Sequence, residues 1–117
     1  MLGRLVLYAR DVEGLVSFYE RYFGYHAFYA VNDRIVELTS SDGGASLLIH
    51  PAPKSHRSGQ SAVKLVFDVR DVESFKIKCR EMGLEFGPTH QAEGYCFANA
   101  KDPCGNSISI SSRAFRA

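Results

Sequence analysis

The tetrapeptide RDVE occurs twice in this chain of 117 residues, once opening RDVEGLVSFYE at Arg10 and again opening RDVESFKIKCR at Arg70. When Leu5–Gly14 is laid on Leu65–Ser74, six of ten positions match: Leu5/Leu65, Val6/Val66, Arg10/Arg70, Asp11/Asp71, Val12/Val72 and Glu13/Glu73. A phrase repeated at this spacing restricts the fold more than any other feature, because each half must build the same supersecondary unit. One such unit cannot cover its own apolar face without a partner layer.

The first copy reads as a strand and then a helix. RLVLYA alternates in polarity, after which Val12, Leu15, Val16, Tyr19 and Phe23 follow the i, i+3, i+4, i+7 spacing of an amphipathic helix. Asp11 stands at the N-cap and Gly24 where a left-handed residue ends a helix. YHAFYA, RIVELTS and ASLLIH then read as three strands, the last two joined across SDGG. The second copy runs KLVFDV, a helix through VESFKIKCREM capped by Asp71 and closed by Gly83, then LEFGP, YCFANA and SISIS, with KDPCGN as the matching hairpin. The expectation is an α+β fold of two βαβββ modules, residues 1–50 and 61–117, forming curved mixed sheets with helices on the outer face. The Pro-, Ser- and Gly-containing stretch 51–60 is the linker.

The duplicated βαβββ order, the helix end FYERYFGY and the ending DPCGNSISI together resemble the vicinal oxygen chelate superfamily, which includes glyoxalase I, extradiol dioxygenases and the bleomycin- and fosfomycin-resistance proteins. The resemblance spans nearly the whole chain. It leaves the chemistry open, because one fold hosts many functions.

Strand alternation assigns faces. Leu5, Leu7, Leu47, Ile49, Leu65, Phe67, Ile108 and Ile110 belong under the helices. Arg4, Val6, Tyr8, Leu48, His50, Lys64, Val66, Asp68 and the row Ser107, Ser109, Ser111 belong on the opposite face. A bulge could flip the strands before the hairpins, and the resemblance implies Ile35, Glu37, Thr39, Tyr95, Phe97 and Asn99 as their inward sets. The candidate ligand-binding residues are Arg4, Tyr8, Glu37, His50, Lys64, Asp68, Phe97, Asn99, Ser107 and Ser109, a mixture of apolar and converging polar groups suited to a small molecule.

In enzymatic members the resemblance implies four metal ligands, at the start of each module's first strand and on each module's last strand. Here those positions hold Arg4, Leu48, Lys64 and Ser109, none of which supplies the imidazole or carboxylate that such a site needs. His26, His50, His56 and His90 lack ligand spacing, and only Glu37 with His50 could be brought together by neighbouring strands. No metal, cofactor or catalytic residue is assigned. Cys79, Cys96 and Cys104 form neither a disulfide framework nor a zinc pattern, and Cys104 has no evident base beside it.

Charge and hydropathy exclude other classes. With 14 Lys+Arg against 13 Asp+Glu, no basic surface for nucleic acid is expected. No apolar run reaches membrane-spanning length and no leader is evident, so a cytoplasmic protein with no membrane partner is expected. The reading that follows is a metal-independent small-molecule-binding protein of this superfamily, with antibiotic or metabolite sequestration as its role. Its ligand would be anionic or polar, held by Arg4 and Lys64 at a shared space, and its assembly a homodimer. The alternative is a metal-dependent lyase or dioxygenase, similar to lactoylglutathione lyase, with a displaced metal site.

Overall fold

The computed structural model describes residues 2–54 and 63–116, and the chain separates into two compact units, Met1–Gly59 and Gln60–Ala117. In the first, β1 (Arg4–Ala9) leads into α1 (Val12–Phe23), followed by β2 (Tyr25–Phe28), β3 (Val36–Ser40) and β4 (Ser46–Pro51). The four strands form a mixed sheet in the order β1-β4-β3-β2, with β1 parallel to β4 and the other neighbours antiparallel. The second unit repeats this with β5 (Lys64–Asp68), α2 (Val72–Glu81), β6 (His90–Ala92), β7 (Tyr95–Lys101) and β8 (Ser107–Ser111), ordered β5-β8-β7-β6. Each half is therefore an α+β βαβββ module with an open four-stranded sheet and one helix.

Register explains the cores. Leu5, Leu47 and Leu38 align as one row across the first sheet, and Leu7, Ile49 and Val36 as the next. Onto these rows α1 lays Leu15, Val16, Phe18 and Tyr19, all buried. Tyr25 is buried at the same sheet, where its hydroxyl donates to the Ala45 carbonyl at 3.1 Å and desolvation raises its pKa. The second sheet carries Leu65, Ile108 and Ala100 in one row and Phe67, Ile110 and Ala98 in the next. Helix α2 adds Val72 and Cys79 as its buried residues, and burial pushes the Cys79 thiol up.

Both helices start on an aspartate, Asp11 accepting from the Gly14 amide at 2.9 Å and Asp71 from the Ser74 amide at 3.1 Å. Gly24 caps α1 with φ 68°. The second helix is closed by Gly83 as expected. It stops at Glu81 with Met82 as C-cap, and Gly83 follows at φ 105°. The Gly83 amide donates to Arg80 and the Leu84 amide to Cys79, the paired bonds of a Schellman motif, so glycine sits one residue beyond the cap.

The expected strand LEFGP does not form. Residues 84–89 are irregular, and the outer strand of the second sheet is instead His90–Ala92, joined to β7 by the two-residue turn Glu93–Gly94. Pro88 has no amide to donate, so the stretch makes a single ladder-like bond, Gly87 to the Asn99 carbonyl, before pairing resumes. Pro51, assigned to the linker, continues β4 opposite Ala9. Residues 55–60 of the expected linker lie outside the described residues.

Candidate functional site

Each sheet has a face turned away from its helix, and these faces carry the candidate residues. On the first, Arg4, Val6 and Tyr8 of β1 share a side with Leu48 and His50 of β4 and Glu37 of β3. Arg4 reaches over the intervening strand to Glu37, Nε to Oε1 at 3.8 Å. Both groups are well exposed, 61% and 38%, so the pair sets local charge more than it stabilises the fold. Tyr8 and His50 lie opposite each other with ring centroids 5.2 Å apart and planes tilted by 52°. His50 Nδ1 lies 2.8 Å from the Pro51 carbonyl oxygen, an acceptor, so this nitrogen carries a hydrogen and donates it. Glu37 pairs opposite Leu48, which leaves His50 as its diagonal neighbour, engaged elsewhere.

The second sheet repeats this arrangement with different chemistry. Lys64 reaches across β8 and donates from Nζ to Asn99 Oδ1 at 3.1 Å. The registers make Lys64 the counterpart of Arg4 and Asn99 the counterpart of Glu37. Where Arg4 meets a carboxylate, Lys64 meets a neutral amide and keeps its charge uncompensated by that partner. Ser109, opposite both Val66 and Asn99, is 3% exposed and donates to the Ala98 carbonyl at 3.1 Å. Ser107 accepts from Lys101 Nζ at 2.9 Å. Asp68 ends β5 opposite Ser111, four residues from Lys64 and about 13 Å away along the strand, so the two do not pair.

Phe97, one of the candidate residues, lies opposite Ser111 on this face and forms the centre of a ring array whose other members, His90, Tyr95 and Arg113, were not among the candidates. His90 lies 5.1 Å from it with planes 33° apart, and Tyr95 lies 6.3 Å away at 32°. Arg113, in a short 3-10 turn over Arg113–Phe115, donates from Nη1 to the Tyr95 hydroxyl at 2.9 Å. His90 joins the array only through the β6–β7 register, and Arg113 only because the chain turns back after β8, neither of which leaves a periodic mark. The paired appearance of Tyr95 and Phe97 in YCFANA was the one sequence signal.

The four positions to which the resemblance assigns metal ligands do not fit a divalent cation. Arg4 and Lys64 carry positive charge, Leu48 has no donor atom, and the Ser109 hydroxyl is engaged with a carbonyl. Among the described residues no group of three or more His, Cys, Asp or Glu gathers where a metal could be held; His56 lies outside them. Nor is any described helix long and apolar enough to cross a membrane.

Comparison with solved structures places the chain among proteins of the same fold. It superposes on a lactoylglutathione lyase from Agrobacterium tumefaciens with a TM-score of 0.72 at 20% identity, covering 95% of this chain and 92% of that one. TnmS3, an antibiotic binding protein from Streptomyces sp. CB03234, gives 0.77 at 18% identity over 94% and 93%. A superfamily member from Sphaerobacter thermophilus gives 0.76 at 16% over 95% of each chain. No curated protein matches the sequence. Residues 1–110 match the family model described as Glyoxalase/Bleomycin resistance protein/Dioxygenase superfamily, and with the doubled βαβββ module this establishes that the chain belongs to that superfamily.

Proposed function

We propose that this chain is a metal-independent small-molecule-binding protein that sequesters an anionic or polar compound, an antibiotic or a metabolite. The observation that carries this reading is the replacement of ligand-type side chains by a cation on each first strand, Lys64 in particular, whose recorded partner is the neutral Asn99. A fixed ammonium at that position favours negative charge on a bound molecule and disfavours a divalent ion. Phe97 and His90 beside it supply apolar area, the combination found in small-molecule sites. The antibiotic-binding neighbour supports sequestration as a role, through fold alone.

The second reading is a metal-dependent lyase or dioxygenase with a displaced centre, favoured by the lactoylglutathione lyase among the neighbours. The two separate in one experiment. Protein purified without chelators is analysed for metals and screened by thermal shift against anionic metabolites and antibiotics, with and without EDTA. Stabilisation that survives EDTA supports sequestration, whereas stoichiometric zinc, nickel, iron or manganese together with turnover of a lyase or dioxygenase substrate replaces it with the second reading.

The proposal includes a homodimer in the cytoplasm. Val6, Tyr8 and Val66 are exposed on the faces away from the helices, apolar area that a second copy would cover. Cys79 and Cys96 are free thiols, suited to a reducing compartment. Light scattering that gives a concentration-independent 13.0 kDa species would remove the dimer.

A further inference from the structure

The chain after β8 folds back on the second sheet and brings three arginines against two aromatic rings. Arg113 Cζ lies 5.1 Å and Arg116 Cζ 5.7 Å from the Tyr95 ring centroid, and Arg70 Cζ lies 4.2 Å from that of Phe115. The turn is anchored: the Ser112 amide donates to the Cys96 carbonyl at 3.0 Å, the Cys96 amide to Ser112 Oγ at 3.1 Å, and the Arg113 amide to Ser111 Oγ at 3.1 Å. Among the described residues none of the three guanidinium groups has a carboxylate within ion-pair distance. A guanidinium resting on a ring keeps its edge N–H donors directed outward, in the fork that matches carboxylate or phosphate oxygens. Arg113 uses one such donor on the Tyr95 hydroxyl, leaving others unused.

Tyr95 and Asn99 are four residues apart on β7 and share a face, so Arg113 and Lys64 mark two positive ends about 13 Å apart along the strand. Phe97 lies between them, flanked by His90. We propose that the Arg113–Arg116 turn is an anion-binding site that takes a carboxylate or phosphate group of the bound molecule, whose aromatic body lies along Phe97 toward Lys64. This rests on the small-molecule-binding reading above and names its ligand class: an elongated aromatic compound with an acidic group at each end.

The test is an NMR titration of full-length protein with three probes: inorganic phosphate, benzoate and biphenyl-4,4′-dicarboxylate. Saturable shifts of the amides of Tyr95 and Arg113–Arg116 are expected with all three, with the dicarboxylate also moving Phe97 and Asn99 and binding at least about tenfold more tightly than benzoate. Shifts from phosphate and the dicarboxylate but not benzoate would point to a phosphate-type end, and from benzoate and the dicarboxylate but not phosphate to a carboxylate end, either of which supports the site; a turn that answers phosphate or benzoate but not the dicarboxylate overturns the proposed ligand class. Arg113→Gln with Arg116→Gln should weaken the dicarboxylate by about tenfold or more, and Arg113→Lys by less. If the dicarboxylate binds the sheet face but the double glutamine variant holds it unchanged, the turn is structural and the inference is wrong while the binding reading stands. If no probe shifts the turn in the wild-type protein, the inference fails without recourse to any variant. If no anionic compound binds anywhere on the chain, both fail.

Discussion

The two modules share one topology and divide the work between them. In the first, α1 buries two aromatic and two aliphatic residues on rows of Leu, Ile and Val. In the second, α2 buries only Val72 and Cys79 over rows that end in Ala98 and Ala100, and Phe86 of the irregular loop is buried as well. That loop is tied down by polar contacts, with Thr89 donating to Glu73 and accepting from Lys76 of α2. The opposite faces diverge in the other sense. The first module answers its cation with Glu37, whereas the second answers Lys64 with an amide and adds serines and a ring array. Duplication has left one half with more helix side chains buried against its sheet and the other with more serines and rings on its open face.

The comparison breaks most readily in the helices. Tyr19 and Cys79 occupy equivalent positions and both are fully buried. Tyr19→Ala should cost about 4 kcal/mol in chemical denaturation and Cys79→Ala about 1 kcal/mol, because the removed volume and the cavity left behind scale together. Equal losses would show that the two helices anchor their sheets equally.

The faces come next. Lys64→Gln should weaken an anionic ligand about tenfold, the worth of one charge-assisted hydrogen bond, and Arg4→Gln by less, because Glu37 already offsets Arg4. Isothermal titration of both variants orders the two sites; a larger effect at Arg4 would move the binding face to the first module.

The helix caps come third. Asp71 has its pKa lowered by the Ser74 backbone amide and then by the Ser74 hydroxyl, which donates to it at 2.9 Å. A carboxyl whose folded pKa is depressed contributes stability that is fully present above its unfolded value and is lost as pH falls through the folded one. Asp71→Ala should therefore destabilise at neutral pH and lose its effect in that acidic window, as followed by thermal melts across pH. Asp11→Ala should cost about 1 kcal/mol at neutral pH. A pH-independent Asp71→Ala penalty would mean that the carboxylate form is not what caps α2.

The smallest effect is at Gly14, which stands where the second module has Ser74. A Cβ there would meet Asp11 Oδ2 at 2.3 Å, so Gly14→Ala must push the capping carboxylate aside while gaining helix propensity. The two terms are each about 1 kcal/mol and opposed, so the net change should lie within about 0.5 kcal/mol. A clear destabilisation would show that the Asp11 cap is worth more than the added propensity.

Much of this was legible in the chain. The repeat, both aspartate caps and the alternation of SISIS rest on local periods, and the buried Ile108 and Ile110 follow from them directly. The inward set Glu37, Phe97 and Asn99 needed the family resemblance, since a one-residue slip would have reversed it. The missing strand at LEFGP had its cause in view, a proline that cannot donate, but where pairing would resume depended on what β7 offered.

By itself the sequence determined two βαβββ modules, where their helices begin, which faces of the first and last strands are apolar, and that the expected metal positions hold no metal-type donors. The modules, helix starts and strand faces depend on residue type and short spacing; which positions would hold a metal came from the family resemblance. Only the tertiary structure decided that Arg4 meets a carboxylate and Lys64 an amide, that His90 stacks on Phe97, and that Arg113 and Arg116 come to rest on Tyr95. The physical reason is common to all three: such contacts join strands or turns whose neighbours are set by register and by the return of the chain, and local periodicity carries no record of either.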